Sequence, residues 1–135
     1  MKEQILFVCM ENTCRSQMAE GFARHAGLDA DSAGMTAGDG VNSDAVAVMA
    51  EIGIDISGQP SKTIASLSMI EYQVVISMCS TRTAEICPAD FNGNQENWNI
   101  DDPKGHSLDV YRRVREEIKI RVEELKKRMP PTADS

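Results

Sequence analysis

The run Gln4-Ile5-Leu6-Phe7-Val8-Cys9-Met10-Glu11-Asn12-Thr13-Cys14-Arg15-Ser16 changes character twice, and the architecture follows from those changes. Gln4–Val8 is a short apolar run without helical period, which reads as a buried strand. From Ser16 onward Met18, Ala19, Phe22, Ala23 and Ala26 fall on one helical face, with Ser16 as N-cap and Gly27 as terminator. Between strand and helix lies a loop that starts at a cysteine and ends at an arginine. Such a loop suits a tetrahedral oxyanion. Successive N–H groups from Met10, Glu11, Asn12, Thr13, Cys14, Arg15 and Ser16 can curl around the anion, and the helix start adds positive potential. Arg15 supplies a planar fork for two oxygens, and the same field favours thiolate at Cys9. Cysteine and arginine six apart are common by chance; the strand before and the helix after give the pair its meaning.

Working outward, Asp31–Gly34 reads as a second strand, followed by a loop holding Gly38 and Gly40. A helix is expected over 43–52, capped near Ser43 and Asp44, with Ala45, Val48, Met49 and Ile52 inward and Gly53 ending it. A short helix around 65–71 leads into a buried strand over 73–78. Residues 80–87 read as a helical turn stopped by Pro88, and 97–100 as a fourth strand. The last helix, 107–129, is expected to bury Leu108, Tyr111, Val114, Ile118, Val122, Leu125 and Met129, with a disordered tail over 130–135. Strands alternating with helices indicate a single α/β domain over 1–129 with a parallel sheet. Ligands in such sheets bind at the carboxyl ends of strands, where Cys9, Cys79 and Asp102 fall.

The 135 residues fit one domain, and 41% hydrophobic content fills its core without staples. Net charge is −7, and the chain before Asp109 holds six Lys/Arg against fifteen Asp/Glu. This argues against a nucleic-acid partner held by bulk positive charge. The basic stretch 109–129 reads as a solvated helical face. The apolar run at the N-terminus is too short for a signal peptide or membrane span, so no membrane role and a cytoplasmic setting are expected. Four cysteines, at 9, 14, 79 and 87, are too few and too uneven for a disulfide scaffold and fit no common zinc spacing. In a reducing compartment, retained cysteines point to catalysis or redox chemistry.

The stretch Val8–Glu20 resembles the low-molecular-weight tyrosine phosphatase superfamily, and within it the thioredoxin-coupled arsenate reductases. The similarity continues through Asp31–Gly34, Gly40–Asn42, Gly53–Ser57, Trp98–Pro103 and Tyr111–Ile118. Gln17 after Ser16 is closer to the reductases, since the phosphatases usually have proline there. The resemblance implies a four-stranded parallel sheet flanked by helices, with Cys9 as nucleophile and Asp102 as general acid. Pro103 restricts Asp102 to extended geometry, which can aim its carboxyl back over the loop. Asp101 is the alternative acid.

The resemblance also implies roles for the remaining thiols. Cys9 attacks arsenic, Cys79 then attacks Cys9, and Cys87 moves the disulfide to Cys79–Cys87, where an external dithiol reduces it. Thioredoxin is the expected reductant, ahead of a glutaredoxin-type protein. No tightly bound cofactor is expected, and the superfamily suggests a monomer. Were residues 79–87 helical throughout, eight rises would set the two Cα atoms about 12 Å apart. A disulfide needs roughly 4.4–6.8 Å, so the segment would have to unwind. Cys14 reads as a packing residue. Some family members bind potassium through positions matching Asn12, Glu20 and Ser32. Here Lys62 stands for the remaining carboxylate ligand; either its ammonium takes the cation's place and pairs with Glu20, or it is a solvated surface group. The competing reading is a tyrosine phosphatase using Cys9, Arg15 and Asp102. It leaves Cys79 and Cys87 idle, and Lys104-Gly105 replaces the aromatic residues usual after Asp-Pro. A non-enzymatic redox sensor would leave Arg15 and Asp102 unexplained.

Overall fold

The computed structural model describes residues 4–36, 38, 40–79 and 81–129. Its four strands are β1 (Gln4–Cys9), β2 (Asp29–Gly34), β3 (Val74–Ser77) and β4 (Asn94–Asn97). They form one parallel sheet in the order β2-β1-β3-β4. The helices are α1 (Arg15–His25), α2 (Ser43–Ala50), α3 (Thr83–Ile86) and α4 (Leu108–Arg128). The expected four-stranded parallel sheet flanked by helices is therefore present. Among the described residues no helix is long and apolar enough to cross a membrane.

Alternation along the central strands builds two cores. Ile5, Phe7, Val74 and Ile76 join Met18, Phe22, Tyr111 and Ile118 on the face covered by α1 and α4. Leu6, Val8 and Val75 join Met69, Tyr72 and Phe91 on the other, where Cys87 packs at the margin. Both faces being covered leaves the carboxyl edge of the sheet as the place where side chains from several strands converge. The basic surface of α4 is partly engaged: Arg112 and Arg115 grip Glu51 at 2.8 and 2.7 Å, which holds its carboxyl down at about 2.

Several elements differ from the sequence expectation. The fourth strand runs over Asn94–Asn97, three residues earlier, with Val74 paired to Asn94. It is a mostly exposed, polar edge strand, so it lacks the apolar run that marks a buried strand. Trp98 and Ile100 are buried just beyond its end. Helix α1 starts at Arg15 with Cys14 as N-cap, and Ser16 lies inside its first turn. Asn42, not Ser43 or Asp44, caps α2, its Oδ1 accepting from the N–H groups of Asp44 and Ala45. That helix ends at Ala50, and the left-handed Gly53 turns Ile52 outward, so Ile54 and Ile56 fill the core instead. Leu108 is 40% exposed because it opens α4 before the packed face begins. The short helix expected over 65–71 is two 3-10 turns, Ile64–Ser66 and Met69–Glu71. Residues 130–135 lie outside the described residues.

Candidate active site

The Cys9–Arg15 loop is shaped from outside by the segment that follows β2. The carbonyls of Cys9, Met10, Glu11 and Thr13 accept from the N–H groups of Met35, Thr36, Gly38 and Asn42 at 2.9–3.1 Å. In a trans peptide the N–H points opposite to the preceding C=O. The N–H groups of Met10, Glu11, Asn12 and Cys14 therefore turn away from this scaffold, and a small cavity lined by Cys9, Thr13, Arg15 and Asp102 lies at the loop. Cys14 makes no side-chain capping bond, so the start of α1 keeps its donors for an anion.

Asn12 holds the loop at a left-handed turn, φ +56°, a conformation asparagine tolerates better than most residues. Its Oδ1 accepts from the Lys62 N–H at 2.9 Å, which fixes the amide orientation. Its Nδ2 then donates to Ser16 Oγ at 2.8 Å and to Ser32 Oγ at 2.9 Å. Ser32 in turn donates to Glu20 Oε1 at 2.6 Å. With Asn12 donating to its oxygen, the Ser16 hydroxyl is free to give its proton to Cys9 Sγ, 2.8 Å away. A continuous hydrogen-bonded chain thus links the buried Glu20 carboxylate to the Cys9 sulfur. Gln17 braces the same loop: its Nε2 donates to Asn12 O and Pro60 O, both at 3.0 Å.

Arg15 is buried, with Nη1 donating to the carbonyls of Met78 and Ile100 at 2.6 and 3.0 Å. Those carbonyls follow β3 and β4, so the sheet edge itself orients the guanidinium. Its Nη2 stands 3.7 Å from Oδ2 of Asp102, whose side chain is half exposed. Asp101 faces the other way, 3.6 Å from Arg113. Cys14 belongs to the core beside Tyr111, and burial pushes its thiol up. Cys79 and Cys87 are free and partly exposed. Cys79 Sγ is 3.6 Å from Ser77 Oγ, and burial raises the Cys87 thiol. Helix α3 is a single turn, Thr83–Ile86, inside the 80–87 segment where a helical turn is expected, so the roughly 12 Å separation of a continuous 79–87 helix does not apply.

One contact considered from the sequence is absent. Lys62 does not pair with Glu20; its ammonium lies 3.7 Å from Asp31, and Arg24 Nε pairs with Glu20 at 2.8 Å. Arg24 sits one helical turn after Glu20 and reaches it without crossing the loop. Asn12, Glu20 and Ser32 do come together, but their oxygens are engaged by protein donors.

Sequence reasoning missed Gly34. A Cβ there would sit 2.4 Å from Thr36 O, 2.7 Å from Asn12 N and 2.8 Å from the carbonyl carbon of Glu11, all backbone atoms. Gly34→Ala is expected to lower unfolding free energy by about 2–3 kcal/mol, since backbone must move to admit the methyl. Gly58→Ala, in open space, is expected within about 0.5 kcal/mol of wild type. Urea unfolding of both variants checks the contrast.

A cysteine at the end of β1, a loop that closes on the start of α1 and an arginine anchored to the sheet edge make up a site of phosphatase type. The chain belongs to the low molecular weight phosphotyrosine protein phosphatase family, whose profile matches residues 4–132. Among its relatives is the glutaredoxin arsenate reductase of Synechocystis sp., 42% identical, with 91% of this chain and 95% of the relative covered. The arsenate reductase of Staphylococcus aureus is 39% identical over 94% and 98% of the two chains. A solved arsenate reductase in the phosphate binding state superposes with a TM-score of 0.85 at 40% identity, covering 95% of this chain and 99% of that one.

Proposed function

We propose that this protein reduces arsenate to arsenite by a three-cysteine relay regenerated by thioredoxin. The observation that carries it is the partly exposed, free pair Cys79 and Cys87, with Cys79 just past β3 beside the carbonyl that anchors Arg15. Hydrolysis of a phosphoester needs only Cys9, Arg15 and an acid; a two-electron reduction needs thiols as well. The likeness to arsenate reductases over nearly the whole chain supports the same reading.

In the proposed sequence the oxyanion sits in the loop, its charge met by backbone N–H groups and the Arg15 fork. The Cys9 thiolate forms a bond to arsenic(V), and an arsenic–oxygen bond breaks, the oxygen leaving as water with a proton from Asp102. The Cys79 thiolate then attacks Cys9 Sγ. The sulfur–sulfur bond forms as the sulfur–arsenic pair of electrons passes to arsenic, which departs as arsenite, now arsenic(III). Cys87 next attacks Cys79, freeing the Cys9 thiolate and leaving a Cys79–Cys87 disulfide. A dithiol reductant of the cytoplasm restores both thiols. Met10, Glu11, Asn12, Thr13 and Cys14 contribute chiefly through the loop backbone.

The reductant is the part of the proposal most open to direct measurement. Arsenate-dependent NADPH oxidation is expected with thioredoxin and its reductase, and at least about tenfold more slowly with glutathione, glutaredoxin and glutathione reductase. The reverse ranking would replace thioredoxin with the coupling named for the Synechocystis relative. Hydrolysis of a phosphotyrosine substrate without arsenate-dependent oxidation would favour the phosphatase reading.

A further inference from the structure

Lys104 and Glu11 meet across the mouth of the Cys9 cavity, Nζ 2.5 Å from Oε1. The pair also borders a neighbouring groove lined by Gly38, Val41 and Asn42. Glu11 is a costly residue for its position, because a carboxylate within an oxyanion loop repels the ion the loop is built to hold. Its ammonium partner comes from the segment that carries the acid. The Lys104 N–H donates to Asp102 Oδ1 at 3.1 Å, and left-handed Gly105 turns the chain immediately afterwards. One residue thus touches both the loop's misplaced charge and the acid's own turn.

We propose that Lys104 is a positioning and specificity residue: its ammonium neutralises Glu11 for an incoming dianion, and the pair latches the Asp102 segment over Cys9. The turnover half of this inference rests on the arsenate reductase reading; the binding half concerns any tetrahedral oxyanion. Both side chains are about half exposed (51% and 47%), so the pair adds little to fold stability. Its effect lies in the potential at the mouth, where salt screens it.

The test measures inorganic phosphate binding as protection of Cys9 from iodoacetamide, read by mass spectrometry of its peptide, alongside arsenate kcat and KM. Lys104→Met is expected to weaken phosphate about five- to tenfold at low salt, with the loss shrinking as salt rises. Lys104→Arg should stay within about twofold of wild type, since it keeps the charge. Glu11→Gln/Lys104→Met should bind phosphate several-fold more tightly than Lys104→Met, because the unneutralised carboxylate is gone. It should not regain kcat, because the latch is still missing. A merely structural lysine would show no such split. Unchanged phosphate protection in Lys104→Met, or a double variant binding no tighter than the single one, would overturn the proposal. Should wild type bind phosphate yet reduce no arsenate, the reductase reading falls, while the phosphate measurements still decide the role of Lys104.

Discussion

Cys87→Ser is expected to release one equivalent of arsenite and then stop, whereas Cys79→Ser releases none. The distinction follows from which bond each thiol breaks. Without Cys79 nothing attacks Cys9 while arsenic is attached, so the adduct persists. Without Cys87 the first disulfide forms and arsenite leaves, but a Cys9–Cys79 disulfide remains, and Cys9 itself is only 4% exposed. Steady turnover with thioredoxin should therefore fall by at least about two orders of magnitude in both variants, access to the attacked sulfur being the limit. The local structure suits such a relay. α3 is a single turn, too short to be stable by itself. It is tied to β4 through the Thr83 N–H and Asn97 Oδ1 at 2.9 Å. Cys87 is held at the edge of an apolar cluster that raises its thiol, so release from that cluster also favours its thiolate. Quenched single-turnover assays with arsenite quantified per chain, and mass spectrometry of the disulfides, separate the two variants. Sustained turnover by Cys87→Ser would sink the relay.

The Cys9–Arg15 loop was legible as a strand-to-helix connection because the buried strand before it and the helix after it survive as local pattern. The scaffold holding it was not legible. The carbonyls of Cys9, Met10 and Glu11 are tied to Met35, Thr36 and Gly38, a pairing that exists only once β2 lies beside β1. The need for glycine at position 34 has the same origin, since it comes from Asn12 approaching across the sheet edge. Lys104 and Glu11 stand 93 residues apart, and no periodicity links them. The Glu20–Arg24 pair obeys simple helical spacing, yet the sequence reading passed over it and considered Lys62 as the partner of Glu20. β4 was placed three residues late because Trp98 and Ile100 are the apolar residues of that region, yet they lie past the ladder. Edge strands need only one hydrogen-bonded side and can be polar throughout, so hydrophobic pattern locates them poorly.

Arg15→Lys keeps the charge and is nevertheless expected to lose about 10²–10³ in kcat/KM for arsenate, the scale set by losing an oriented oxyanion donor. The guanidinium has two tasks at once. Its Nη1 hydrogens are spent on Met78 O and Ile100 O, which leaves Nε and Nη2 as the fork for an oxyanion. An ammonium cannot divide itself this way. If it stays with the carbonyls it sits too deep to reach the ion; if it turns to the ion, two carbonyls at the ends of β3 and β4 lose their donor. A buried acceptor left without a partner costs about 1–3 kcal/mol, so the variant should also unfold at lower urea concentration. The Asp102 contact at 3.7 Å would be lost with the fork, and the acid's carboxyl would no longer be drawn toward the loop. Most of the effect should therefore appear in kcat, with phosphate protection of Cys9 weakened as well. A variant within tenfold of wild type in kcat/KM would show that charge alone serves the site, and that the anchoring of Arg15 to the sheet edge has no catalytic consequence.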